Sequence, residues 1–412
     1  MNTSSNPPAD RPAPFADDMP VVRLRPKTDA RAIRRGSPWV FDNELVVDRR
    51  TSKLTPGTIA RLEDAERSPL GIVAVNPASK IICRMLDRDP AAVIDRAWLT
   101  ARLTRALSLR ERLFDTPHYR LIHAEADGLP GVVIDRFGDA AVVQPNAAWA
   151  DLMLEDLVAA LVEVTGVSCV VKNASGRARS LEGLDEETVI LRGSLDGPLP
   201  VPMNGATYMA DLLGGQKTGL FLDQRPNHAF AASLAREARV LDVFSHVGGF
   251  ALAALAGGAT SALAVDGSAA ALELAQRGAE AGGTAARFST RRGDAFEAMA
   301  ALAAEGESFD LIICDPPAFA PNKPALEAGL RAYERVARLA ATLVAPGGYL
   351  VLCSCSHAAD LGRFRGACLS GIGRSGRWAQ QLHTGFAGPD HPQLPQLAET
   401  GYLKALFFRL DG

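Results

Sequence analysis

Cysteine is scarce in this chain, with six in 412 residues (Cys83, Cys169, Cys314, Cys353, Cys355 and Cys368) and no paired CxxC spacing. That excludes a disulfide scaffold and a zinc knuckle, and it reads as reduced thiols in a cytoplasmic protein with no bound metal. No run is long and apolar enough to span a bilayer. The first twenty residues carry five prolines and no apolar stretch, which fits neither a signal peptide nor an anchor and predicts a disordered leader over 1–20. An excess of one charge is also missing: 44 basic residues face 47 acidic ones, with 47% hydrophobic and 22% charged residues overall. Wholesale disorder and a uniformly basic surface are thereby excluded, and the length predicts two or three domains. No G-x-G-x-x-G follows any strand-like run, which speaks against a nicotinamide dehydrogenase.

The charge that is present is unevenly spread. Residues 21–50 hold eight basic and four acidic side chains, whereas 240–360 hold eight basic and thirteen acidic ones. A basic front piece suggests contact with a polyanion, although a solvated charge run reads the same way. Short apolar runs separated by turn clusters predict a small β-rich domain over 21–95. A long helix from Trp98 to Phe114, strands around 131–144, a helix from Trp149 to Thr165 and two further strands predict an α+β middle domain over 96–205. From 206 to 412, strand-like and helical runs alternate in strict succession. This α/β pattern predicts a Rossmann-like parallel sheet with helices on both faces.

Ligands of such sheets bind at the carboxyl ends of the strands, so the residues that close each run are the candidates. The first run closes with Asp242, Ser245, Gly248 and Gly249, the second with Asp266, and the third with Gly293, Asp294 and Ala295. An acid opening the glycine loop repels phosphate and attracts a cation. A second carboxylate twenty-four residues later suits a ribose, and a third suits an adenine amino group. Three acids in this order fit a cationic adenosine ligand without phosphate, S-adenosylmethionine, better than NAD or ATP. Each acid taken singly also reads as a helix N-cap.

The fourth run closes with Asp315, Pro316, Pro317 and Phe319, where an acid, free proline carbonyls and an aromatic face suit a flipped-out nucleobase. The fifth ends in Cys353, Ser354, Cys355, Ser356 and His357. Cys314 and Cys353 follow apolar residues and read as small buried hydrophobes. Cys355 has polar neighbours and is the better nucleophile. A thiolate adding to C6 of a pyrimidine makes C5 able to accept a methyl group.

These segments resemble the bacterial ribosomal RNA large-subunit methyltransferase I family, enzymes of the class I S-adenosylmethionine type that act on cytosine C5 of 23S rRNA. The resemblance rests on GSPWVF at 36–41, AEADGLPGVVIDRFGD at 124–139, GQKTGLFLDQRPNH at 215–228, the Asp242 loop, the DPPAF at 315–319 and the CSCS at 353–356. It implies a PUA-like RNA-binding domain at the front, with Arg23, Arg25, Arg34 and Arg35 touching phosphate. It implies a cofactor pocket from Asp242, Ser245, Gly248, Gly249, Asp266 and Asp294, with Asp315 beside the reacting base and Cys355 as nucleophile. Lys217, Asp223 and Arg225 would contact cofactor or RNA. The implied partner is rRNA, 23S or a precursor, and an apolar edge of the middle domain could pair two copies. Two other readings stay open: an N-methyltransferase using the DPPxF loop on an exocyclic amine, and an RNA-binding assembly factor without turnover.

Overall fold

The computed structural model describes residues 19–215 and 218–411, so the leader up to residue 18 and the candidate Lys217 lie outside the described residues. Three sheets follow one another along the chain. The first has five strands in the order Val21–Arg23, Thr58–Glu63, Pro69–Val75, Cys83–Asp87, Trp39–Val40. Its strands close over a core of Leu24, Leu45, Leu62 and Val73, each essentially inaccessible.

The second sheet, ordered Val189–Arg192, Cys169–Lys172, Ala140–Pro145, Val132–Phe137, His118–His123, is backed by the helix Arg96–Leu113. Asp95 caps that helix by accepting from the Trp98 amide at 2.9 Å. The continuous helix expected from Trp149 divides at Met153 into Ala148–Leu152 and Leu154–Thr165. The strand His118–His123 escapes sequence reading because polar side chains interrupt its apolar pattern. Arg120 grips Asp135 through two hydrogen bonds of 2.9 Å. A hairpin, Leu199–Met203 with Ala206–Ala210, then leads into the third sheet.

That third sheet has seven strands, ordered Phe288–Arg292, Ser261–Asp266, Arg239–Val243, Phe309–Cys314, Val344–Ser354, Lys404–Asp411, Trp378–Gly385. The first five are parallel as expected. The last two run antiparallel to their neighbours, because Lys404–Asp411 enters beside Val344–Ser354 from a strand at the sheet edge rather than through a crossover helix. Alternating side chains feed two cores. Val240, Leu311, Ile313 and Val351 pack with the helices Gly249–Ala256 and Ala269–Ala281. Leu241, Ile312, Leu350 and Leu352 pack with Ala295–Ala304, Leu326–Leu343 and Leu361–Arg374. Helices on both faces therefore follow from the period-two alternation of continuous apolar runs.

The domains are locked by buried polar contacts. Arg84 of the first sheet bridges Glu125 and Glu182, both at 3.0 Å. Arg110 donates to the Asp390 carbonyl at 3.0 Å and Asp390 accepts from the Arg120 amide at 3.1 Å. These bonds tie the segment after Gly385 to the middle sheet and hold it at the edge of the cleft described next. No helix among the described residues is long and apolar enough to cross a membrane.

Candidate active site

The carboxyl ends of the central strands open into a cleft lined by Phe221, Gln224, His228, Asp242, Ser245 and Asp315 together with the loop 244–250. The loop between Val243 and Gly249 is tightly wound: Phe244, His246 and Gly248 have φ of 62°, 49° and 77°. Left-handed conformations at non-glycine residues cost energy and collect at ligand sites. Gly249 has a separate constraint, since a Cβ there would lie 2.8 Å from the His228 ring.

Asp242 is fully buried and accepts from the Ala251 amide at 2.9 Å, at the N-terminal end of the helix Gly249–Ala256. Its other oxygen has no partner among the described residues. Burial pushes its pKa up to about 8, and the nearby Asp315 and Asp266 carboxylates add to the rise. Asp266 accepts from the amides of His246, at 2.9 Å, and Ser268, at 2.8 Å, so it shapes the loop that lines the cleft. Asp294 is an N-cap, exposed, accepting from the amides of Phe296 and Glu297 at 2.9 and 3.1 Å. Ala295 is buried at the start of that helix. The Ser245 hydroxyl is buried without a partner among the described residues.

At the reacting end, Asp315 is half-buried and accepts from the Gln224 amide nitrogen at 3.0 Å. Asn227 donates to the Gln224 carbonyl oxygen at 2.6 Å, which orients that amide toward the acid. Pro316 is buried, Pro317 is exposed, and Phe319 packs edge-on against Phe244 at 6.3 Å and against Tyr333 at 5.1 Å. Ser354 and Ser356 both hydrogen-bond the Tyr333 hydroxyl, at 2.9 and 2.7 Å. Cys353 and Cys355 therefore share the opposite side of the strand. Cys353 is buried beside Gln224, and burial raises its thiol well above the usual range. Cys355 is half-buried, the other five cysteines being fully so.

Two residues that shape this end, Lys404 and Tyr402, carry no sequence signal. Lys404 donates to the carbonyls of Ser356 and Ala359, both at 2.8 Å. Burial lowers its pKa, while a thiolate at Cys355 acts to hold its charge. Tyr402 donates to Asp223 at 2.6 Å. His228 is kept neutral, its pKa pushed down to about 3 by burial and by Arg225. Arg225 itself turns to the middle domain, with its guanidinium 4.4 Å from the Phe114 ring centre and a hydrogen bond to the His118 carbonyl.

A family model for S-adenosylmethionine-dependent methyltransferases matches residues 191–409, and one for a PUA-like domain matches 22–88. A ribosomal RNA large subunit methyltransferase of Deinococcus radiodurans is 37% identical over 410 residues, covering 96% of this chain and 99% of its own. The ribosomal RNA large subunit methyltransferase I of Cronobacter sakazakii is 33% identical over 395 residues, covering 94% and 98%. The chain belongs to this methyltransferase family. The fold agrees: a Streptococcus mutans structure described as a SAM-dependent methyltransferase superposes with a TM-score of 0.79 at 19% identity, covering 95% of this chain and all of its own. A methyltransferase structure complexed with SAH gives the same score and identity, covering 95% and 99%.

The methyltransferase thus uses S-adenosylmethionine, and the residues present fit it. Among the described residues the cleft offers three buried polar atoms without partners, one oxygen of Asp242, the Ser245 hydroxyl and Nδ1 of His228. Unmet buried groups of this kind are costly unless a ligand satisfies them. An acid held neutral by burial also suits a cationic ligand that restores its charge.

Proposed function

We propose that this methyltransferase modifies large-subunit ribosomal RNA, 23S or a precursor, in the cytoplasm, placing the methyl group on C5 of a cytosine through a thiolate adduct at Cys355. The single observation that carries this reading is the placement of Cys355. It is the one cysteine among the six that is not buried, and it stands at the carboxyl end of the strand next to that of Asp315, with Lys404 beside it. A neighbouring ammonium favours the thiolate, the form that adds to a ring carbon.

Asp242, Ser245, Asp266 and the Gly248–Gly249 turn would hold the cofactor, with Asp294 and Ala295 at its adenine end. When bound, S-adenosylmethionine supplies an electrophilic methyl group. Asp315, oriented by Gln224, accepts hydrogen bonds from the base edge together with the carbonyls of Pro316 and Pro317. The packing of Phe319 into an aromatic cluster leaves it as a wall of the base pocket rather than a free stacking platform. Asp223 acts on the cysteine side, and Lys217 on the same segment contacts substrate. Arg225 supports the site from behind by clamping the segment to Phe114 and His118.

The test is mass spectrometry of nucleosides from rRNA incubated with the enzyme and isotopically labelled S-adenosylmethionine. Label is expected in 5-methylcytosine; label in an N-methylated guanine or adenine would move the chemistry to the Asp315 loop.

The PUA-like domain docks the RNA through phosphate. Arg23 and Arg34 are partly exposed while paired with Glu63 and Asp64, Arg25 donates to the Leu45 carbonyl, and Arg35 stands exposed. Replacing Arg34 and Arg35 together by alanine is expected to weaken RNA binding and to reduce its salt dependence by about 0.7 to 0.9 in log–log slope per lost phosphate contact. Filter binding over a salt series checks this, and an unchanged slope would place the docking surface elsewhere. A homodimer through the middle sheet would use its edge strand Val189–Arg192, where Leu191 is exposed. Sedimentation of the full chain decides between one copy and two.

A further inference from the structure

Methylation at C5 leaves a proton on that carbon, and the thiolate cannot depart until a base removes it. We propose that Tyr402, backed by Asp223, is that base, an inference that rests on the thiolate-adduct reading above. Asp223 lies on the short turn Leu222–Gln224 and is 8% exposed. One of its oxygens accepts the Tyr402 hydroxyl at 2.6 Å, and the other is buried with no partner among the described residues. A carboxylate oxygen left without a donor has an open lone pair on which a proton can be received.

The order of groups supports the assignment. Arg120 of the middle sheet and His391 of the segment after Gly385 lie within charge range of Asp223, and Tyr402 donates to it directly. Tyr402 in turn precedes by two residues Lys404, which pairs with Ser354, and its ring centre is 5.8 Å from that of His357, so it lies beside the segment that carries Cys355. The hydroxyl thus reaches the buried acid from the side of the segment that carries Cys355. The other polar groups at this end have different duties. Lys404 directs its donors at two carbonyls, and Asp315 is engaged by Gln224. A tie that served only to hold the turn would not require a carboxylate with one oxygen left over.

In the step, C5 of the ring bears both the methyl group and a hydrogen, and C6 bears the sulfur of Cys355. The C5 proton passes to the Tyr402 oxygen as the Tyr402 proton passes to Asp223. The electron pair of the C–H bond re-forms the C5–C6 double bond. The C6–S bond breaks, its pair returning to Cys355 as thiolate, and Asp223 then yields its proton to water.

RNA carrying 5-fluorocytosine has no proton to remove, so the wild-type enzyme should remain bound to it covalently under denaturing conditions. Tyr402→Phe and Asp223→Asn should form this adduct as the wild type does. On unsubstituted RNA both should accumulate a methylated protein–RNA adduct that the wild type does not. Release of tritium from C5-labelled cytosine should slow by about 10²-fold or more in each. Tritium release at the wild-type rate by either variant overturns the assignment. So does failure of either to form the fluorinated adduct, since the pair would then act before proton removal. Absence of the fluorinated adduct from the wild-type enzyme removes the thiolate reading itself, and the base with it.

Discussion

Cys355→Ala is expected to abolish transfer of label to RNA, by more than about 10³-fold, while leaving S-adenosylmethionine binding unchanged. The effect is large because nothing else nearby can replace the nucleophile. Cys353, two residues earlier on the same side of the strand, is 1% exposed, with its thiol held neutral by burial. Ser354 and Ser356 point the other way and are engaged by Tyr333. Cofactor binding should persist because the acids that would hold the cofactor lie at or just after the ends of the strands Arg239–Val243, Ser261–Asp266 and Phe288–Arg292, away from the strand that leads to Cys355. Calorimetric titration of the cofactor, run beside single-turnover methylation, separates the two properties. Turnover near the wild-type rate in the variant would end the C5 mechanism.

Cofactor affinity should rise with pH toward about 8, and Asp242→Asn should remove both that dependence and much of the binding. In the free enzyme Asp242 is fully buried with a pKa near 8. Below that pH the folded protein carries a proton there that the unfolded chain has lost by about pH 4. Because the folded state binds the extra proton, stability from this residue is present at low pH and is lost as pH rises between about 4 and 8. A cation placed against the carboxyl favours the charged form, so binding expels the proton. Titrations in two buffers of different ionisation enthalpy should show proton release below about pH 8 and none well above it. Asp242→Asn retains an acceptor for the Ala251 amide but cannot pair with a cation. It should weaken binding by about 2 kcal/mol, as expected for a lost charge-assisted hydrogen bond, and raise the melting temperature of the free enzyme above pH 8. Proton release that does not change with pH, or affinity unaltered in the variant, would place the cation elsewhere.

The placement of the acids proposed to hold the cofactor was legible in the chain because it is local. Each acid follows an apolar run, and a parallel sheet brings the ends of such runs together whatever the loops do. Asp294 shows the limit of that reasoning: its geometry is that of an N-cap, the alternative that every strand-end aspartate carried. The cysteine pair was legible for the same reason, through the two-residue period that sets Ser354 and Ser356 against Cys353 and Cys355.

The opposite wall of the site was not legible. Asp223 and Tyr402 are 179 residues apart, Gln224 and Asp315 are 91 apart, and neither pair has a spacing that a motif could capture. Arg225 sits in a segment that reads as a functional strap, yet its guanidinium spans to Phe114 and His118 of another domain. The sequence by itself determined the α/β class, the acids and the thiol at the strand ends, since these depend on periodicity and on neighbours along the chain. Only the tertiary structure decided which carboxylate takes the Tyr402 hydroxyl and which arginine is a clamp, because those depend on buried contacts between segments far apart in the chain.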